Sequence, residues 1–140
     1  MCPDTETLLA YVKVELFFAA ICYYIKINPK PITAMAKKIA EQLIDTLVKS
    51  GVERIYAVTG DSLNEVNEAV RKNDQIKWIH VRHEETGAYA AAAEAQLTGR
   101  PGCCAGSSGP GHVHLINGLY DAHRSGAPVI AIASTIPTGE

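Results

Sequence analysis

The sequence predicts an α/β fold, a doubly wound parallel sheet with helices on both faces. Three observations carry that prediction. Segments with strand character alternate along the chain with segments of helical period, which is the pattern of βαβ units. Three of the four strand runs are apolar without period-two alternation, as in strands covered on both faces. Finally, the first three strand runs each end in a polar or glycine-rich turn, and right-handed crossovers place all three turns on one edge of the sheet.

Each element has a local reason. Ile39, Leu43, Ile44, Leu47 and Val48 recur at helical spacing after Met35, and Gly51 stops that helix. Val52 to Val58 reads as the first strand. Thr59-Gly60-Asp61-Ser62 supplies a turn and a helix cap, and Leu63, Val66, Asn67 and Val70 continue a second helical face. Ile76 to Val81 is the second strand, ending abruptly in Arg82-His83-Glu84-Glu85. The alanine-rich stretch behind it has high helix propensity and runs to about Leu97, where Thr98-Gly99-Arg100-Pro101 closes the helix in the expected order of glycine, then proline. Gly102 to Ala105 is a short third strand leading into Gly106-Ser107-Ser108-Gly109-Pro110-Gly111. A helix from His112 to His123 and a strand from Pro128 to Ala133 complete the pattern.

Composition narrows the function. The chain has 140 residues, 47% hydrophobic and 20% charged, enough for one domain with a real core and far from disorder. The formal net charge of −2 comes with no basic block, which argues against a nucleic-acid partner. Cys2, Cys22, Cys103 and Cys104 have no metal-ligand spacing. Cys103 and Cys104 are adjacent and point to opposite faces of their strand, as small core residues in a reducing, cytoplasmic setting. Residues 1 to 34 read differently from the rest. Their charge-free run from Leu16 to Ile25 is too short to span a bilayer, and they do not resemble a secretory signal. They are expected to form an extension outside the domain at 35–140, and any membrane contact would have to be made through them.

The rim turns limit the chemistry. The glycine turn is ordered Gly-x-x-Gly-x-Gly, without the Lys-Ser/Thr pair of a P-loop, and Pro110 removes a backbone donor; this disfavours a phosphate cradle. Ser107 and Ser108 lack a nucleophile-elbow pattern. His112 and His114 are expected to diverge, and His80 and His83 to converge poorly, so no metal site is assigned. Glu84 and Glu85 remain. Consecutive residues cannot both face the crevice, so one should turn inward and the other toward solvent or Arg82. Acidic residues in a first helical turn also favour the macrodipole, and that structural reading stays open.

Taken together and in order, Arg82-His83-Glu84-Glu85 with Gly87-Ala88, the Gly106 to Gly111 turn, His114-Leu115 and Asn117-Gly118-Leu119-Tyr120-Asp121-Ala122 resemble the thiamine-diphosphate-dependent 2-oxo acid enzymes. The likeness is to their N-terminal pyrimidine-binding domain and runs from Met35 to Glu140. Val58-Thr59-Gly60-Asp61-Ser62-Leu63-Asn64 looks most like pyruvate oxidases and quinone-linked pyruvate dehydrogenases. The resemblance implies that Glu84 hydrogen-bonds the aminopyrimidine ring nitrogen and so promotes proton removal from the cofactor's reactive carbon. It implies that Gly60, Asp61, Ser107, Pro110 and His114 wall the ring. Diphosphate, Mg2+ and FAD would be held by further C-terminal domains that the chain lacks, with a second subunit completing the site. On this reading the chain is truncated at its C-terminus and inactive alone. An acetolactate synthase-like or other 2-oxo acid decarboxylase is the alternative within the family. A non-catalytic α/β interaction module is the alternative outside it.

Overall fold

The computed structural model describes residues 36–135. In chain order these form α1 (Ile39–Lys49), β1 (Arg54–Ala57), a 3-10 turn (Asp61–Leu63), α2 (Asn64–Arg71), β2 (Lys77–His80), α3 (Glu84–Thr98), β3 (Gly102–Gly106), α4 (Pro110–Val113), α5 (Ile116–Arg124) and β4 (Val129–Ala133). The expectations for residues 1 to 34 lie outside the described residues. The four strands make one sheet in the order β2-β1-β3-β4, and every pairing is parallel. The chain first moves outward from β1 to β2, then returns past β1 to β3. That reversal sends successive helices to opposite faces and leaves a crevice between the carboxyl ends of β1 and β3, where sheets of this kind bind ligands.

Two apolar clusters cover the faces. Ile44 and Leu47 of α1 and Ala69 and Val70 of α2 pack with Ile55, Ala57 and Cys103 on one side. Ala88 and Ala91 of α3 pack with Cys104 and Leu115 on the other, with Tyr56 against them. Register pairs Ile55 with Cys103 and Tyr56 with Cys104, so the adjacent cysteines enter opposite clusters, as period two requires. Both thiols are free and buried. Burial pushes the Cys104 thiol up to about 12, and burial with the neighbouring thiol raises Cys103 as well.

The alanine run is a close-packing device. Gly87, Ala88, Ala91, Ala92 and Ala95 form the buried stripe of α3. A Cβ at Gly102 would stand 2.1 Å from the Ala91 carbonyl oxygen, and one at Gly118 would stand 2.5 Å from the Ala88 Cβ. Both β3 and α5 therefore approach α3 as closely as backbone permits, which fixes where its first residue, Glu84, lies. Gly99 ends α3 at φ 68, donating its N–H to Ala95 O.

Two expectations need correction. β1 begins at Arg54 rather than Val52, because the Val52 N–H is taken by Leu47 O at the end of α1. The helix expected over 112–123 begins earlier, at Pro110, whose missing N–H costs nothing at a first helical position. It also divides at His114–Leu115, where Leu115 N bonds His112 O in a tighter three-residue step before Leu119 N resumes the four-residue pattern to Leu115 O. Leu115 is buried there, beneath α3. Among the described residues no helix is long and apolar enough to cross a membrane.

Candidate functional site

Three turns leave the carboxyl edge of the sheet and meet. The turn after β1 touches the turn after β3 so closely that a Cβ at Gly60 would stand 2.4 Å from Ser107 Oγ. Ser62 fastens them. Its hydroxyl lies 2.8 Å from Ser107 Oγ and 2.7 Å from Ser134 Oγ, and accepts the Ser108 N–H at 3.0 Å. Ser134 Oγ in turn donates to Gly106 O at 3.2 Å. One hydrogen per hydroxyl then sets a direction: Ser107 donates to Ser62, Ser62 to Ser134, and Ser134 to the carbonyl. Ser107 is left with lone pairs alone for anything in the crevice. Sequence reasoning gave this serine-bearing turn a capping role, yet neither the 3-10 turn nor α2 has a side-chain cap. The Ser62 hydroxyl spans between loops instead.

The turn after β2 supplies the carboxylate. His83 caps α3 with extended backbone, its Nδ1 accepting the Glu85 N–H at 3.3 Å. Glu84 then opens the helix with its side chain only 12% exposed, and His114 Nδ1 lies 3.1 Å from its Oε2. Glu85 turns away, 3.4 Å from Asn117 Nδ2. The inward choice between the two glutamates thus falls on Glu84, and the partner of the other is Asn117. Gly111 lies over the opposite oxygen: a Cβ there would stand 3.4 Å from Glu84 Oε1 and 3.2 Å from Ser107 Cβ. With hydrogen at that position, a flat group can approach Oε1.

Of the predicted residues, Gly60 and Ser107 meet each other, and Glu84 meets His114. Asp61 and Pro110 are exposed, at the first positions of the 3-10 turn and of α4. Ser62, Ser134, His112 and His83 were missed. His112 Nδ1 donates to Ser134 O at 2.9 Å, bracing the loop after β4. The expectation for His83 concerned only its poor convergence with His80; a different partner meets it, since its ring stacks on His114 with centroids 4.5 Å apart and planes inclined by 26°. Its position one residue ahead of the helix, beyond the end of β2, carries it across to the α4–α5 junction. Adjacency to Glu84 was the available signal for His83; the serines gave none beyond lying on rim segments.

The family model that matches is that of the thiamine pyrophosphate enzyme N-terminal TPP binding domain, over residues 37–140. The chain belongs to this family. Among its relatives are YdaP of Bacillus subtilis, named as a candidate thiamine pyrophosphate-containing protein, 52% identical over 108 residues, and the pyruvate oxidase of Lactiplantibacillus plantarum, 47% identical over 97. The chloroplastic acetolactate synthase 3 of Brassica napus is 36% identical over 101 residues. These alignments cover 76%, 69% and 72% of this chain but 19%, 16% and 16% of the respective relatives, so the chain spans under a fifth of their length.

For a thiamine pyrophosphate domain the donor set is selective. A carboxylate oxygen beneath a glycine and an acceptor-only hydroxyl suit the edge and face of an aminopyrimidine, which offers ring nitrogens and an amino group. A diphosphate would need converging free N–H donors or cations; Pro110 has no N–H, the Ser108 N–H is taken by Ser62 Oγ and the His112 N–H by Ser107 O, and the turn carries no lysine or arginine. The residues fit the pyrimidine half of the cofactor.

Proposed function

We propose that this chain provides the aminopyrimidine side of a thiamine-diphosphate site in a pyruvate oxidase-like enzyme that decarboxylates a 2-oxo acid, with Glu84 as the activating carboxylate. One observation carries the reading: a mostly buried glutamate, fixed through Oε2 by His114, with Oε1 approachable beneath Gly111. Bound there, the cofactor would supply the carbanion stabilisation that no side chain provides. Glu84 holds a proton at the contact with a ring nitrogen, and the hydrogen bond from His114 keeps the carboxylate aimed. Ser107 and Gly60 form the wall along the β1–β3 crevice, while Asp61, Pro110 and His114 border it.

Mg2+ and the diphosphate, a flavin, and a second subunit that closes the site belong in this reading to polypeptide other than residues 36–135, and the working location is the cytoplasm. Greater identity to the pyruvate oxidase than to the acetolactate synthase supports the oxidase-like reading over the synthase-like one. The test is a graft. Residues 37–135 replace the matching segment of the Lactiplantibacillus plantarum pyruvate oxidase, and pyruvate turnover is assayed with thiamine diphosphate and Mg2+. Retained turnover that Glu84→Gln abolishes is expected; a folded graft equally active with either residue would remove Glu84 from the chemistry. The 140-residue chain alone is expected not to turn over pyruvate.

A further inference from the structure

The same carboxylate sits in a second kind of donor set. His83, Glu84 and His114 each place one potential ligand atom within 4.8 Å of the others. Two imidazoles and a carboxylate form a set that borderline divalent metals favour, and three protein ligands leave an open coordination position. A tetrahedral zinc ion with bonds near 2.0–2.1 Å requires donors roughly 3.4 Å apart. Glu84 Oε2 and His114 Nδ1 already stand 3.1 Å apart. The third donor must move inward, and it can: the His83 side chain is 48% exposed and its one hydrogen bond, from the Glu85 N–H, is long at 3.3 Å. The stacked rings would have to tilt further apart at their far edges, which solvent on the His83 side permits.

We propose that His83, Glu84 and His114 form a binding site for a zinc-like divalent transition metal, and that a metal held there withdraws Glu84 from the crevice it otherwise serves. The metal takes the His114 Nδ1 lone pair, with the imidazole hydrogen moving to Nε2, so Nδ1 ceases to donate to Glu84 and both become ligands. Mg2+ is not an occupant, because a hard cation prefers oxygen ligands and this set has two nitrogens. The site is distinct from any that would hold a diphosphate-bound magnesium. The buried Cys103 and Cys104 lie inside the sheet and do not compete for the ion.

The consequence for the cofactor rests on the proposed function, whereas the metal site does not. Zinc binding is therefore measured on the unmodified 140-residue chain without cofactor, so that failure of one reading is not failure of the other. Zn2+ is titrated against a chromophoric chelator, and in parallel the ring signals of the five histidines are followed by NMR after sequence assignment. The expected result is saturable binding in which the His83 and His114 signals move together, Mg2+ in excess has no effect, and His83→Ala or His114→Ala each weakens affinity by about tenfold or more. Absence of saturable binding, or binding that leaves both signals in the parent chain unmoved, would overturn the site. The NMR arm needs no variant, so a substitution that fails to fold does not protect the proposal.

Discussion

Replacing Gly118 by alanine should damage the candidate site from the far side of a helix contact. The added Cβ would meet the Ala88 Cβ at 2.5 Å, the Tyr89 backbone nitrogen at 2.8 Å and the Ala88 carbonyl carbon at 3.0 Å. These neighbours are backbone and a methyl group, so no flexible side chain can yield. Ordinary carbon contacts of about 3.5–4.0 Å require α5 to retreat from α3 by roughly 1 Å. Overpacking of this kind costs about 1–3 kcal/mol, while alanine in place of glycine within a helix returns up to about 1 kcal/mol. The clash wins, leaving a net loss of about 1–2 kcal/mol and a fall in melting temperature of roughly 4–16 °C. The same displacement moves His114 off Glu84, where the present 3.1 Å separation has little slack before the hydrogen bond is lost. Gly99→Ala is the control. It meets nothing within 4 Å but forces alanine to φ 68, so it costs a similar 1–2 kcal/mol by strain alone. Thermal unfolding and the His114 ring signal in NMR separate the two. Both variants should melt lower, and only Gly118→Ala should shift His114. An unaltered His114 signal in a destabilised Gly118→Ala protein would refute the idea that α3–α5 packing sets the site.

Other outcomes follow from single contacts. Ser62→Ala removes a hydroxyl shared among Ser107, Ser134 and the Ser108 N–H, and because the position is exposed each bond counts at the low end of about 0.5–1.5 kcal/mol. A total loss of about 1–2 kcal/mol is expected in denaturant unfolding, against under about 0.5 kcal/mol for Ser125→Ala, whose hydroxyl only bonds back to its own helix. Equal effects would remove the clasp. Arg71 beside Glu68, with help from Lys72, holds the Glu68 carboxyl well below its ordinary 4.5, at about 2. Because the folded value is the lower one, its stabilisation is fully present above 4.5 and is lost as pH falls toward 2. The stability gap between the parent and Glu68→Gln should narrow across that window, and a gap that widened there would contradict the assignment. Peptide-mapped alkylation should find Cys103 and Cys104 unmodified at neutral pH until the chain is unfolded, since both thiols are buried and their thiolates disfavoured. Modification of the native protein at either would show that β3 opens.

Much of this architecture follows from patterns that survive in one dimension. The apolar run Gly102 to Ala105 announces a fully buried strand, whereas Val129 to Ala133 is equally apolar but lies partly exposed at the sheet edge as β4, and three turns after three parallel strands share one edge. The residues by themselves left Glu84 and Glu85 open, and the family resemblance alone preferred Glu84; the structure turns the two side chains apart. What stayed hidden depends on through-space pairing. A serine hydroxyl reveals nothing about which loop it will reach, so Ser62 read as a cap until Ser107 and Ser134 stood beside it. His83 read as one of several scattered imidazoles, and its stack on His114 depends on how α4 meets α5. The division of that helix at His114–Leu115 was equally illegible, because Gly111, Leu115, Gly118 and Ala122 keep helical spacing across it.

The central claim is that Glu84 activates the bound cofactor. It is tested most directly by hydrogen–deuterium exchange at the reactive carbon of thiamine diphosphate, bound to the pyruvate oxidase graft and followed by quenched-flow NMR without substrate. Glu84→Gln keeps the shape and removes the proton-holding group, so exchange should slow by about 10²–10⁴-fold while the cofactor stays bound. Exchange at the same rate with glutamine in place would contradict the account.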